Sequence, residues 1–156
     1  TAGLGRDAFL LAALGSKVTL IERSNIMHAL LADGMNAARK AGGRYEEIID
    51  RMTLIYGDSI SLLPQMKADV VVIDPMHPPR QKSALVNGEM RAIRAIVGVD
   101  DDQGRLIETA MEAASKRVVV KWPAKAAALN LLRPPSYQII GKSIRFDIFI
   151  TKQKIK

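Results

Sequence analysis

Cysteine is absent from all 156 residues, which excludes disulfides and thiolate metal sites. Histidine is nearly absent: His28 and His77 are the only two, too few for a histidine-rich zinc site, and no metal is expected. Tryptophan occurs once, at Trp122. No apolar run is long enough to span a bilayer and no signal peptide is visible, so a cytoplasmic protein without a membrane partner is expected. Nor is there an internal repeat, a low-complexity tract or a clear linker. What is present is apolar material, 48% of the residues. That is enough for a real core, and residues 1–156 read as a single domain.

Negative charge is in deficit, and the formal balance is +7. Residues 76–98 carry a net +3 from Arg80, Lys82, Arg91 and Arg94 against Glu89, and residues 136–156 a net +4 from Lys142, Arg145 and three lysines near the end against Asp147. These two segments account for the whole excess. A polyanionic partner is one reading, and a solvated surface with a basic tail is the other.

The remaining pattern alternates helix and strand. Residues 6–15 read as a helix stopped by Gly15, and residues 17–22 as a strand. Ser24 can cap a helix over residues 25–41 that Gly42 and Gly43 end. A short helix over residues 45–50 and a strand from Met52 follow. Residues 69–73 read as a strand, and its four β-branched apolar residues, 70–73, as buried on both faces. Helices are expected over residues 83–97 and from Asp100–Asp102 to about Ser115, then a strand over residues 116–122. YQIIGKSIRFDIFI reads as two strands joined near Gly141–Ser143. Strands alternating with helices imply βαβ units and a mostly parallel sheet. The final pair, with no helix between, implies an antiparallel C-terminal edge strand.

TAGLGRDA has the form G-x-G-x-x-A at a helix start. Gly3 and Gly5 let the backbone approach a ligand, and the helix offers unpaired N–H groups. Glu22 follows at the end of the next strand, where a carboxylate can accept both ribose hydroxyls. That spacing fits a nicotinamide dinucleotide fold, an S-adenosyl-L-methionine (SAM) fold, or a plain structural turn. Both ligand readings require a strand just before the turn, so a beginning is expected to be missing from this chain. Asp58 and Ser59 stand after the third strand position, where SAM's adenine would lie; either could instead cap the next helix. With Asp74, three successive strands end on acids, and open α/β sheets bind ligands along that edge.

Asp74 opens DPMHPP, which resembles the (D/N)PP(aromatic) signature of enzymes that methylate exocyclic amines of nucleic acid bases. An aromatic amine is a poor nucleophile because its lone pair is delocalised. The Asp74 carboxylate and the Pro75 carbonyl can bind its two hydrogens, bend the nitrogen towards tetrahedral and aim the lone pair. SAM is already activated, so alignment does most of the work. His77 sits where an aromatic ring usually stacks on the base; a loop histidine is the bland alternative.

TAGLGRDAF, IER, DPM-x-P, QKSAL, EMR, KRVVVK and RFDI, in this order over nearly the whole chain, resemble the ribosomal RNA small subunit methyltransferase J family. The resemblance implies a Rossmann-like class I SAM methyltransferase fold and N2-methylguanosine formation in 16S ribosomal RNA, free or within the small ribosomal subunit. It implies that Arg6, Asp7, Glu22, Arg23, Asp58, Ser59 and Asp74 contact SAM. It also implies an upstream segment and a smaller N-terminal region. Arg80, Lys82 and Ser83 would then overhang the methyl donor, with Arg80 and Lys82 meeting phosphates. Lys121 reads as an RNA contact or as a strand end. Trp122 reads as sheet packing, with base stacking as the alternative. The chain departs from the family pattern at His77 (phenylalanine expected), at Asn87-Gly88 (lysines expected), and at Trp122 and Ala124. Alternatives outside this reading are an amine methyltransferase of another nucleic acid, a nicotinamide-dependent oxidoreductase, and a non-catalytic RNA-binding module.

Overall fold

The computed structural model describes residues 2–75, 102–127, 131 and 133–151. These form two compact units, one within residues 2–59 and the other drawn from residues 60–75 and 102–151.

In the first unit, α1 (Arg6–Ala13) leads to β1 (Val18–Glu22), α2 (Asn25–Ala41), α3 (Gly43–Ile49) and β2 (Met52–Tyr56). The longest helix is specified locally. The Ser24 Oγ accepts the Met27 N–H at 3.4 Å, satisfying an otherwise orphaned donor. Met27 and Leu31, one turn apart, are buried, while Leu30 stays 55% exposed on the outer side. Arg39 and Lys40 occupy the last turn, where the helix dipole favours cations, and Gly42 at φ 70° ends it. β1 and β2 pair in parallel from Val18↔Met52 to Glu22↔Tyr56. Ala12, Leu20, Ile48, Ile49 and Met52 form the unit's buried cluster.

A single turn, α4 (Ser59–Leu62), and a 3-10 turn (Leu63–Gln65) lead on to β3 (Ala68–Ile73). The expected helix over residues 83–97 lies outside the described residues. α5 (Gln103–Ala113), β4 (Ala114–Pro123), β5 (Tyr137–Ile140) and β6 (Ile144–Ile150) complete the second unit. Its sheet has the order β3-β4-β6-β5. β3 and β4 are parallel, and the C-terminal strand β6 runs antiparallel to both its neighbours. α5 buries Leu106, Ile107 and Ala110 as it packs on β3 and β4. Phe149, Val118 and Val120 are fully enclosed, each contributing about 1.5–3 kcal/mol of burial.

Two expectations fail here. β3 is not buried on both faces: Ile73 is buried, but Val70 and Val72 are 42% and 39% exposed. These two alternate with Val71 and Ile73 and so share the other face, which the described residues leave open. Arg145, counted above with the basic surface, is buried. It faces Asp147 two residues along β6, so the excess charge of that segment is carried by its lysines.

β3 and β4 do not keep one register. Ala68 pairs with Ala114 but Val70 pairs with Arg117, so Ser115 and Lys116 together oppose Asp69. The Asp69 carboxylate accepts from both, Ser115 Oγ at 2.8 Å and Lys116 Nζ at 2.9 Å. This extra residue in β4 is a bulge, and its two new donors are satisfied by one acid.

Candidate functional site

The glycine turn is conformationally specified. Gly3 and Gly5 have φ of 53° and 71°, in the left-handed region. The Gly5 N–H donates to the Ala2 carbonyl at 2.9 Å, and the Gly5 carbonyl accepts the Phe9 N–H at 2.8 Å, opening α1. A side chain at Gly5 would place Cβ 2.9 Å from Leu31 Cδ2. Asp7 lies in the first turn of α1, where a negative charge suits the helix dipole. Arg6 and Asp7 are exposed and each engages other groups.

Glu22 ends β1 and is 5% exposed. Its Oε1 accepts the Ser24 N–H at 2.9 Å, so the same short turn that caps α2 also orients the carboxylate. The carboxylate takes no second hydrogen bond from the described residues. The Gly57 N–H donates to the Glu22 carbonyl at 3.0 Å, which continues the β1–β2 pairing past Tyr56. Asp58 and Ser59 therefore emerge at the same strand end as Glu22. Arg23 is exposed beside it, and both Arg23 and Asp58 have further partners. His28, on α2, meets Tyr56 edge-on at 5.5 Å, an aromatic pair within the protein.

In the second unit, Asp74 leaves the end of β3, exposed, and Pro75 after it is buried. A proline at 75 confines Asp74 to extended backbone. Lys121, one residue beyond the Ile73↔Val120 pairing, reaches Asp74 Oδ2 with Nζ at 3.0 Å. Lys121 is thus paired with the candidate catalytic acid. Trp122 is buried, with Nε1 donating to the Ala127 carbonyl at 2.9 Å, which bears out sheet packing. His77, Arg80, Lys82 and Ser83 lie outside the described residues.

Sequence reasoning missed the group that holds the turn after β4. Arg145 Nε donates to Asp147 Oδ1 at 3.1 Å, and its terminal nitrogens donate to the carbonyls of Ala126 at 2.8 Å and Ala127 at 3.5 Å. Gln138 donates to the same Asp147 oxygen at 2.6 Å. Opposite charges two apart in an otherwise apolar strand share one face, and that was the available signal. Among the described residues there is no group of three or more potential metal ligands. No described helix is long and apolar enough to cross a membrane.

A family model for SAM-dependent methyltransferases matches residues 1–151. The chain is 63% identical over 150 residues to the ribosomal RNA small subunit methyltransferase J of Brucella anthropi, covering 96% of this chain and 73% of that protein. Among solved structures it resembles a SAM-dependent methyltransferase from Neisseria gonorrhoeae, at 36% identity and a TM-score of 0.74, covering 96% of this chain and 62% of that one. A glycopeptide N-methyltransferase crystallised with SAM shares the fold at 18% identity and a TM-score of 0.54, covering 97% of this chain and 57% of that one. Of the readings of the glycine turn, these matches favour SAM over a nicotinamide cofactor.

Proposed function

The chain belongs to the ribosomal RNA small subunit methyltransferase J family of SAM-dependent methyltransferases, and on that premise we propose that it methylates the exocyclic N2 of a guanine in 16S ribosomal RNA. The observation that carries the reading is Asp74, an exposed carboxylate at the carboxyl end of β3, fixed by a buried proline.

The residues of the first unit suit SAM. Glu22 is a buried acid at a strand end whose carboxylate accepts one backbone N–H, leaving capacity for ribose hydroxyls. Gly5 is a position that any side chain would crowd, beside the first N–H groups of α1. In this reading Gly3, Gly5, Arg6 and Asp7 hold the methionine end, Asp7 through the ammonium group. Glu22 and Arg23 hold the ribose, and Asp58 and Ser59 the adenine. When bound, SAM supplies a methyl group on a sulfonium, ready for transfer to a nucleophile.

Asp74 and the Pro75 carbonyl accept the two N–H groups of the guanine amine and turn its lone pair towards the methyl carbon. A new N–C bond forms as the old S–C bond breaks, and the surplus proton on nitrogen leaves to water. No strong base is required. His77 is assigned to stacking on the base, and Arg80, Lys82 and Ser83 to the RNA backbone. Only an unpaired or flipped guanine can be gripped in this way. A protein acting on ribosomal RNA or the small subunit works in the cytoplasm.

The experiment is methyl transfer from labelled SAM to 16S ribosomal RNA, with the modified nucleotide mapped. The expected result is N2-methylguanosine formed by the full-length enzyme and not by its Asp74→Ala variant, which remains folded. RNA binding without methyl incorporation by the wild type would support a non-catalytic module, and label in another base or in DNA would support a different substrate.

A further inference from the structure

We propose that Lys121 is a positioning residue for methyl transfer: its ammonium group holds the Asp74 carboxylate in place, and it is not a contact to RNA phosphate. The inference rests on the role of Asp74 given above. Its basis is the 3.0 Å contact between Lys121 Nζ and Asp74 Oδ2. The lysine is the more enclosed partner, with its side chain 24% exposed against 45% for the acid. A phosphate-binding lysine presents its ammonium outwards, where it can displace counterions condensed on the nucleic acid. Here the ammonium is turned along the sheet edge to the neighbouring strand.

Two restraints then converge on one side chain. Pro75 limits the backbone of Asp74 to the extended region. Lys121 limits the carboxylate, from a strand whose place beside β3 is fixed by the Val70↔Arg117 to Ile73↔Val120 ladder. Gripping an amine so that its lone pair lies in line with a methyl carbon is an alignment task. A displacement of about 1 Å in such a task can cost about a hundredfold in rate. An aspartate free to rotate about two side-chain bonds would meet the amine in several geometries. The ion pair narrows these, beside the further contacts that Asp74 and Lys121 make.

The test compares the full-length enzyme with Lys121→Met, Lys121→Arg and Asp74→Ala. Each is measured for kcat and KM on 16S ribosomal RNA, for the RNA dissociation constant across a salt series, and for SAM affinity by calorimetry. Lys121→Met is expected to lower kcat by about 10–100-fold, while RNA affinity, its salt slope and SAM affinity stay within about twofold of wild type. Lys121→Arg, which can remake the pair, is expected to recover most of kcat. Weaker RNA binding with a salt slope reduced by about one unit and kcat unchanged would make Lys121 a phosphate contact and overturn the proposal. An inactive Asp74→Ala beside a fully active Lys121→Met overturns the role of Lys121 alone. A fully active Asp74→Ala overturns the reading of Asp74 and the inference with it. Should Lys121→Met melt early, Lys121→Gln, uncharged and one atom shorter than lysine, carries the comparison.

Discussion

Arg145 and Asp147 face each other at 3.1 Å on one side of β6, with side chains only 8% and 5% exposed. Replacing the arginine leaves the acid buried with Gln138 alone and strips donors from the turn after β4. Arg145→Met is therefore expected to cost about 3–5 kcal/mol, the usual penalty for orphaning a buried charge. Chemical denaturation measures it. A loss under about 1 kcal/mol would mean that the turn is held by something else.

Glu22→Ala is expected to weaken SAM binding by about 10–100-fold, from lost charge-assisted hydrogen bonds worth about 1.5–3 kcal/mol. Glu22→Gln should fall between it and wild type, since an amide keeps one acceptor. Calorimetry decides, and an unchanged affinity removes Glu22 from the cofactor site.

Gly5→Ala is expected to destabilise the first unit more than Gly3→Ala. Both force a side chain into the left-handed region, at about 1–2 kcal/mol. Gly5 adds a 2.9 Å contact with Leu31, whereas a Cβ at Gly3 meets nothing within 4 Å. Thermal melts of the two variants give the order directly, and equal losses would show that Leu31 moves aside without cost.

How much of this was legible in the sequence depends on how local the cause is. The helix of residues 25–41 was readable because its cap at Ser24, its apolar spacing and its stop at Gly42 all lie within it. The turn between Ile140 and Ile144 was readable for the same reason. The exposure of Val70 and Val72 was not, because burial depends on what covers a strand and not on the strand's own composition. The burial of Arg145 was hidden too, since its acceptors at Ala126 and Ala127 come from a turn some twenty residues earlier. Glu22, Asp58 and Asp74 were found at strand ends as expected, but the lysine beside Asp74 belongs to a strand 47 residues away.

The Asp69 carboxyl is held below its ordinary value of 3.8, chiefly by the hydrogen bond from Lys116, then by that from Ser115 and by the charge of Lys116. The unfolded chain therefore takes up this proton more readily than the folded one. The stabilising contribution is complete above the unfolded value and is lost as pH falls through the lowered folded value. The difference in denaturation midpoint between wild type and Asp69→Asn is thus expected to be constant from about pH 7 to about pH 5 and to shrink in stronger acid. A difference that persists unchanged in acid would mean that the charge of Asp69 does no stabilising there.

The bulge that Asp69 closes works at a distance. With the pairing offset seen at Ala68 carried forward, the neighbour of Asp74 would be Val120; the one-residue slip makes it Lys121. A surface acid at the beginning of the strand thereby chooses, by counting, whether the acid just beyond its far end stands next to a hydrocarbon or an amine. Evolution or engineering that alters the start of β4 would change what stands beside Asp74 without touching Asp74 itself.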